Sequence, residues 1–356
     1  MKVCIVCPYG TSSPGGVWNH VENLSNQFEA KKIDHIIVIP ESKNLYTKKK
    51  NVYQIGKPYN LKSGGSEANI VLSLLLGNKI KKFLKFHNPD IVHVHEPFAG
   101  TLPMLFINHF KGKTISTFHS NEGTKLYKFG LSKIFKYLYK KIDTNIVVSK
   151  SAENYINQYF PNKYQIIPNG IEIKYYKQSN QKINKISNNL KLIFIGRNDK
   201  RKGLKYLIDC LQKYKFKFPV SLTIIGHKYT GLKPDNIEII NPGIVSEKSK
   251  INHLTESDIL CAPSLGNESF GIILLEAMAS ETVIIASNID GYNHLVKHKK
   301  NGLLIKPKSS KSIYKAINSV YHNKKMKKEM LKNGNNFIKN YGWDAISDKI
   351  IDIYRN

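Results

Sequence analysis

Residues Cys261–Ser280 read CAPSLGNESFGIILLEAMAS. The β-rich run Ile259–Ala262 ends in a loop carrying Glu268, an apolar helix follows over Gly271–Ala279, and a second β-rich run begins at Val283. Strand, loop, helix and strand in that order make the repeating unit of a parallel α/β sheet. Glu276 is the odd residue within it. Ile272, Ile273, Leu274, Leu275, Ala277 and Met278 make this helix apolar nearly all round, so the Glu276 carboxylate is buried, at a cost unless it has a partner. A ligand hydroxyl or a structural ion pair would serve. Ser269 is placed to cap the helix, and the free amides of its first turn suit negative charge.

The same alternation runs outward in both directions. Val3–Cys7, Ile36–Ile39, Asp90–Val94, Thr114–Phe118 and Asn145–Val148 read as strands, with helices expected over Val17–Phe28, Ser66–Lys85, Lys125–Lys141 and Ser149–Gln158. The pattern stops after Pro168-Asn169-Gly170, where a turn signal leads into a polar, Lys/Asn/Ser-rich stretch. A second series follows, with strands at Lys191–Ile195, Ser221–Ile225, Ile237–Ile240, Ile259–Ala262, Val283–Ala286 and Leu303–Ile305. Two doubly wound halves are therefore expected: an N-terminal domain over 1–170, a linker over 171–189 and a C-terminal domain over 190–342. Two such halves facing each other would leave a cleft for a ligand. Beyond them, Trp343, Ile346, Ile350 and Tyr354 recur at helical spacing, predicting a closing helix over 343–356 that packs back on the first domain.

Composition narrows the function. With 356 residues and 41% hydrophobic content the chain is long enough for two cores, and neither disorder nor a repeat fibre fits. The 55 Lys+Arg against 26 Asp+Glu give a formal charge of +29, a field that attracts phosphorylated substrates, anionic lipid or nucleic acid. Only Arg197, Arg201 and Arg355 are arginines, which weighs against reading of DNA bases. No helix-turn-helix or aromatic-studded basic strand accompanies the charge, so nucleic acid is not expected as a partner. The four cysteines, Cys4, Cys7, Cys210 and Cys261, are too scattered for a disulfide framework, and a reducing compartment fits best. Cys4 and Cys7 lie in an apolar strand pointing to opposite faces, as core thiols rather than a redox pair. The chain enters its first strand directly, so no leader is expected, and its longest apolar stretch, near Ile70–Leu76, is too short for a bilayer. Membrane contact is expected to be peripheral.

Several short motifs bear on chemistry. Gly15 and Gly16 lie between the first strand and first helix, where absent side chains let backbone approach a phosphate or sugar; the alternative is a plain tight turn. The absence of G-x-G-x-x-G and Walker sequences removes the main support for dinucleotide oxidoreduction and P-loop hydrolysis. In DIVHVHEP, His93 and His95 share one strand face with Glu96 just beyond, but no third ligand follows at diagnostic spacing, so no metal site is expected. His119 follows a strand, at the edge where α/β sheets place functional loops. In GRNDKRKG, Arg197 and Lys202 are suited to clamp an anionic leaving group, unless the loop is simply solvated.

Together, the Gly15-Gly16 loop, HVHEP, TFH, IPNGI, GRNDKRKG, CAPSLGNESFGIILLEAMA and the Trp343 helix resemble the retaining glycosyltransferases of family 4, which have the GT-B fold. Within that family CPYG, PGGV, HEPF and CAPSLGNESFGI look most like the phosphatidylinositol mannosyltransferases. The resemblance implies that Gly15 and Gly16 approach donor phosphate and acceptor, and that Arg197 and Lys202 neutralise the nucleotide diphosphate. It implies sugar and nucleotide contacts for Val245, Glu268, Phe270, Gly271 and Ile272, and a ribose contact for Glu276. Catalysis would rest on His119, Arg197, Lys202 and Glu268, with Tyr9, Trp18 and His119 on the acceptor side. The implied reaction moves a hexose, mannose from GDP-mannose, to a membrane lipid such as phosphatidylinositol at the inner face of the plasma membrane. A surface polysaccharide or lipopolysaccharide acceptor with a UDP-sugar is the alternative. No D-x-D sequence is present, so no metal cofactor for the diphosphate is implied. Lys79, Lys81, Lys82 and Lys85, interleaved with Ile80, Phe83 and Leu84, read as an amphipathic basic helix for an anionic membrane surface, and Lys125–Ile142 as a second such helix, unless its apolar stripe packs on the sheet.

Overall fold

The computed structural model describes residues 1–10, 16–42, 47, 49–63, 66–120, 132–178, 189–232, 234 and 237–356. These form two compact units, Met1–Gly170 with Trp343–Asn356, and Ile171–Gly342.

The first unit runs β1 (Lys2–Val6), α1 (Gly16–Ala30), β2 (Asp34–Ile39), β3 (Val52–Gln54), β4 (Pro58–Ser63), β5 (Ser66–Val71), α2 (Gly77–His87), β6 (Ile91–His95), α3 (Thr101–His109), β7 (Lys113–Phe118), α4 (Ser132–Tyr139), β8 (Thr144–Val147), α5 (Lys150–Ile156) and β9 (Gln165–Ile166). Its main sheet has the order β3-β2-β1-β6-β7-β8-β9, with neighbouring strands parallel. β1 is apolar along nearly its whole length and β6 carries His93 and His95 among apolar residues; both are buried on both faces, as a covered parallel sheet requires. The strand order reverses between β1 and β6, so the loops leaving these two strands part and open a crevice at their C-terminal ends.

The second unit runs α6 (Ile173–Gln178), β10 (Leu190–Ile195), α7 (Leu204–Lys213), β11 (Val220–Ile225), β12 (Glu238–Gly243), α8 (Glu247–Glu256), β13 (Ile259–Ala262), α9 (Ile272–Ala279), β14 (Val283–Ser287), α10 (Asp290–Asn293), β15 (Leu303–Ile305), α11 (Ser310–His322) and α12 (Lys324–Phe337). Its parallel sheet has the order β12-β11-β10-β13-β14-β15, reversing between β10 and β13. Leu192, Phe194, Leu207, Leu222, Ile285 and Ile317 belong to its core.

The chain then returns to the first unit as α13 (Trp343–Arg355). Its apolar stripe, Trp343, Ile346, Ile350 and Tyr354, joins the core made by α1 and the sheet. The indole lies against Gly170, where an added Cβ would come within 2.7 Å of Trp343 Cδ2.

Two sequence expectations need correction. Ser66–Val71, expected to begin a helix, pairs antiparallel with Pro58–Ser63, and the helix starts only at Gly77. The β-branched pair Ile70-Val71 favours the strand. The linker expected from residue 171 begins instead as packed structure: Ile171 bridges to Gly342, and α6 buries Tyr176 at 4% exposure. The remainder of that linker, residues 179–188, lies outside the described residues, as does the start of the helix expected over Lys125–Lys141. The described part of the latter, α4, turns Phe135 and Leu138 into the unit and leaves Ile134 exposed, so most of its described stripe serves packing, as the alternative reading had it.

All four cysteines are buried and unpaired. Burial raises every one of these thiols, Cys7 and Cys210 each to about 12, leaving almost no nucleophilic thiolate at neutral pH. An aromatic disulfide reagent is therefore expected to label none of them in the native protein and all four after denaturation, read by absorbance. Rapid labelling of native Cys4 or Cys7 would restore a redox reading.

Candidate active site

The switch point of the second sheet positions the candidate anion-binding groups. The loop after β10 carries Arg197 and Lys202, and the loop after β13 carries Glu268. The two backbones touch: an added Cβ at Gly203, where φ is +72°, would sit 2.0 Å from the Pro263 carbonyl oxygen. The Leu265 N–H donates to the Arg201 carbonyl at 2.7 Å. This approach lets the Lys202 ammonium donate to Glu268 Oε1 at 2.7 Å. The Ser264 hydroxyl donates to the same carboxylate oxygen at 3.0 Å and lies 2.9 Å from the Tyr292 hydroxyl. Arg201 turns away to a carboxylate on its own loop, Asp199, at 2.8 Å, while Arg197 stays exposed. The loop thus presents the exposed Arg197 guanidinium, the exposed Lys200 ammonium and the half-buried Lys202 ammonium.

Helix α9 starts at Gly271, whose left-handed φ of 81° makes it the N-cap in place of the expected Ser269. An L side chain strains at that angle, and a Cβ would come within 2.8 Å of the Tyr292 ring. Phe270 is buried, while Gly271 and Ile272 are half-buried. Val245, on the segment between β12 and α8, is also half-buried.

Glu276 is buried, and its partner is a side chain. Lys250 of α8 donates to Glu276 Oε1 at 2.9 Å and also meets Glu247 at 2.8 Å. Burial works against the Lys250 ammonium, but the carboxylates of Glu276 and Glu247 outweigh it and hold the ammonium charged. The Tyr176 hydroxyl adds a hydrogen bond to the same carboxylate. Lys250 and Tyr176 escaped the sequence reading. One is a lysine among many in the polar segment SEKSK, and the other stands where a linker was expected.

The first unit gathers the other candidates around its own switch point. Tyr9 follows β1 and is half-buried. Gly16 opens α1, and an added Cβ there meets nothing within 4 Å, so packing does not demand glycine at this position. Gly15 lies outside the described residues. Trp18, expected on the acceptor side, is 3% exposed in the core with Val21 and Leu24, because the inward face of α1 carries it against the sheet. His119 follows β7 and is held from behind. Glu96, buried and in a left-handed conformation with φ 46°, accepts the backbone N–H groups of His119 and Ser120 at 2.6 and 2.7 Å. His95 Nδ1 meets His119 Nε2 at 2.9 Å. His93 is structural, spending its two ring nitrogens on the hydroxyls of Tyr354 and Thr117. Burial keeps these rings neutral, lowering His20 to about 4 and His93 to about 3.

Lys79, Lys81, Lys82 and Lys85 are exposed on α2. Ile80 and Leu84, expected to face a membrane, are buried instead. The apolar groups presented beside the lysines are Leu74, Leu75 and Phe86, at 68%, 94% and 84% exposure. No helix among the described residues is long and apolar enough to cross a membrane.

Comparison with known proteins bears on the fold and the family. Residues 14–175 match the model described as Glycosyltransferase Family 4, and residues 176–337 match Glycosyl transferases group 1. A phosphatidyl-myo-inositol mannosyltransferase of Mycobacterium tuberculosis is 27% identical over 372 residues, covering 99% of this chain and 96% of that protein. Among solved structures, Anabaena HepE in complex with UDP and glucose superposes with a TM-score of 0.77 at 16% identity, over 100% of this chain and 99% of that one. Sucrose-phosphate synthase from Thermosynechococcus elongatus gives 0.73 at 18% identity, over 99% and 98% of the two chains. With these two adjoining matches accounting for its two halves, the chain is a glycosyltransferase made of a Glycosyltransferase Family 4 domain followed by a Glycosyl transferases group 1 domain, and it has the GT-B fold.

Proposed function

We propose that this glycosyltransferase is a retaining hexosyltransferase that moves mannose from GDP-mannose to a membrane lipid such as phosphatidylinositol, at the inner face of the plasma membrane. The observation that carries the reading is the Lys202–Glu268 pair at the switch point of the second sheet. Carboxylate and ammonium are pre-aligned there, the former for sugar hydroxyls and the latter for a departing diphosphate. Arg197 and Lys202 stabilise the leaving group, as charge-assisted contacts do where negative charge develops. Glu276 binds the nucleotide ribose, held by Lys250 and Tyr176. On the acceptor side stand His119, Tyr9 and the Gly15-Gly16 loop. In front-face attack the departing phosphate takes the acceptor proton, so the configuration at the sugar is kept without a protein nucleophile. Cationic side chains and helix amides do for the diphosphate what a metal cage does elsewhere.

The experiment is mass spectrometry of lipid extracts incubated with the protein and each of several nucleotide sugars. A hexosyl-phosphatidylinositol made from GDP-mannose supports the reading. Transfer confined to soluble glycans or to a UDP-sugar favours the polysaccharide alternative. Proton NMR of the product linkage decides retention.

The packing of Gly291 against the Glu268 loop gives a second test. An added Cβ at Gly291 would lie 1.9 Å from the Glu268 carbonyl oxygen, so Gly291→Ala must displace the loop. We expect donor affinity to fall by about 10- to 100-fold in calorimetry, the loss of a charge-assisted contact of about 1.5–3 kcal/mol. Unchanged affinity would show that Glu268 does not touch the donor.

The lysines of α2 supply the membrane test. Each is worth about 1 kcal/mol near an anionic surface, and the bare Leu74, Leu75 and Phe86 side chains add apolar insertion. Replacing Lys79, Lys81, Lys82 and Lys85 with Ser is expected to weaken binding to anionic vesicles by about 100-fold or more in co-sedimentation. Transfer to vesicle-embedded lipid should fall in parallel while donor hydrolysis persists. Wild-type glycosylation of embedded lipid by this variant would remove the membrane helix from the reading.

A further inference from the structure

The first unit buries a histidine cluster of which the proposed transfer uses only His119. His20 of α1, His95 of β6 and His119 after β7 have ring centroids 5.3, 4.9 and 5.2 Å apart. Their hydrogen bonding is incomplete. His20 Nδ1 lies 2.8 Å from Asn169 Oδ1, and an amide oxygen only accepts, so the ring proton is on Nδ1 and Nε2 is a bare lone pair. That Nε2 is fully buried without a partner among the described residues, and so is His95 Nε2. Leaving buried ring nitrogens without partners is costly, and a ligand that takes the His20 lone pair would relieve that cost.

We propose that His20, His95 and His119 form a binding site for a divalent transition-metal ion of the zinc type. One nitrogen from each ring lies within 4.8 Å of the others. A tetrahedral ion with bonds of about 2.0–2.1 Å spaces its ligands about 3.4 Å apart, so the rings close up on binding and exchange the His95–His119 hydrogen bond for the metal. Three neutral imidazoles select zinc, cobalt or nickel over magnesium and calcium, which prefer oxygen. The surroundings fit as well. Asn169 orients His20 through its other ring nitrogen, as the outer partners of ligating histidines do. Glu96, 5% exposed and in contact with the backbone of His119, places a carboxylate beside the added positive charge. The sequence expectation of no metal site rested on the lack of a third ligand near His93 and His95. The third and second ligands come from α1 and from beyond β7. An ion bound here ties α1, β6 and the segment after β7 together and engages the ring of His119. His119 is shared with the acceptor side of the proposed reaction, but metal uptake is read without donor or acceptor, so the two readings fail separately.

The test uses the full chain stripped by a chelator. Zn²⁺ is titrated in competition with a chromophoric chelator, and Co²⁺ is followed by visible absorption. The expected result is one equivalent of Zn²⁺ bound, intense visible Co²⁺ bands of a four- or five-coordinate nitrogen site, and no competition from Mg²⁺. His20→Gln and His95→Gln should each lower affinity by at least about 100-fold, while the exposed-histidine variants His298→Gln and His322→Gln leave it unchanged. Absence of stoichiometric uptake would overturn the site. So would uptake insensitive to His20→Gln, or lost in the surface variants. Should His95→Gln fail to fold, the wild-type Co²⁺ spectrum decides alone, since the weak bands of octahedral Co²⁺ exclude a three-histidine tetrahedral site.

Discussion

Replacing His119 with alanine is expected to lower sugar transfer by about 100- to 1,000-fold while leaving the nucleotide dissociation constant within about twofold of wild type. The separation follows from where the groups reside. His119 belongs to the first unit, whereas Arg197, Lys202, Glu268 and Glu276 belong to the second. The substitution also spares the backbone around it. Glu96 holds the N–H groups of residues 119 and 120, not the imidazole, so the loop keeps its anchor when the ring is lost. What disappears is a ring oriented by His95 at 2.9 Å, proposed to face the transferred sugar and acceptor. The measurement is turnover with lipid acceptor beside calorimetric titration of the nucleotide. Equal losses in both, or full turnover, would remove His119 from the chemistry.

The second large effect is expected at the donor. Lys202→Ala and Glu276→Ala should each weaken nucleotide binding by about 10- to 100-fold, because a charge-assisted contact is worth about 1.5–3 kcal/mol. The ligand-free geometry adds a distinction between them. Lys202 is 27% exposed and already paired with Glu268, so its loss removes a diphosphate contact and also frees the carboxylate proposed to read the sugar. Glu276→Ala strands the Lys250 ammonium beside Glu247 alone, in a mostly buried position. A lower melting temperature is therefore expected for Glu276→Ala than for Lys202→Ala. Restoring bulk without charge, as in Glu276→Gln, should recover stability more than affinity. Wild-type affinity in either alanine variant would contradict the donor assignment.

The parallel α/β nature of both halves was legible from the chain alone, because it rests on local properties. Apolar runs such as VCIVC and LKLIFI announce strands buried on both faces, and the stripe Trp343, Ile346, Ile350 and Tyr354 announces a one-sided helix. The singularity of Glu276 was legible for the same reason, a charge set in an apolar helix. Its partner was not. Lys250 became visible only once α8 and α9 packed together, and among 55 basic residues nothing local marks the one that is buried.

Tertiary structure alone also decided which faces are used. Trp18 looked available beside a glycine pair, but the inward turn of α1 buries it; Ile80 and Leu84 looked outward, yet Leu74, Leu75 and Phe86 take that place. The Lys202–Glu268 pair and the meeting of His20, His95 and His119 depend on strand order, which brings loops from distant stretches to one sheet edge. Periodicity in a sequence records which side of an element is apolar. It carries no record of which loop will stand opposite, because that is settled by contacts between residues far apart in the chain, and the chemistry of this protein is assembled from those contacts.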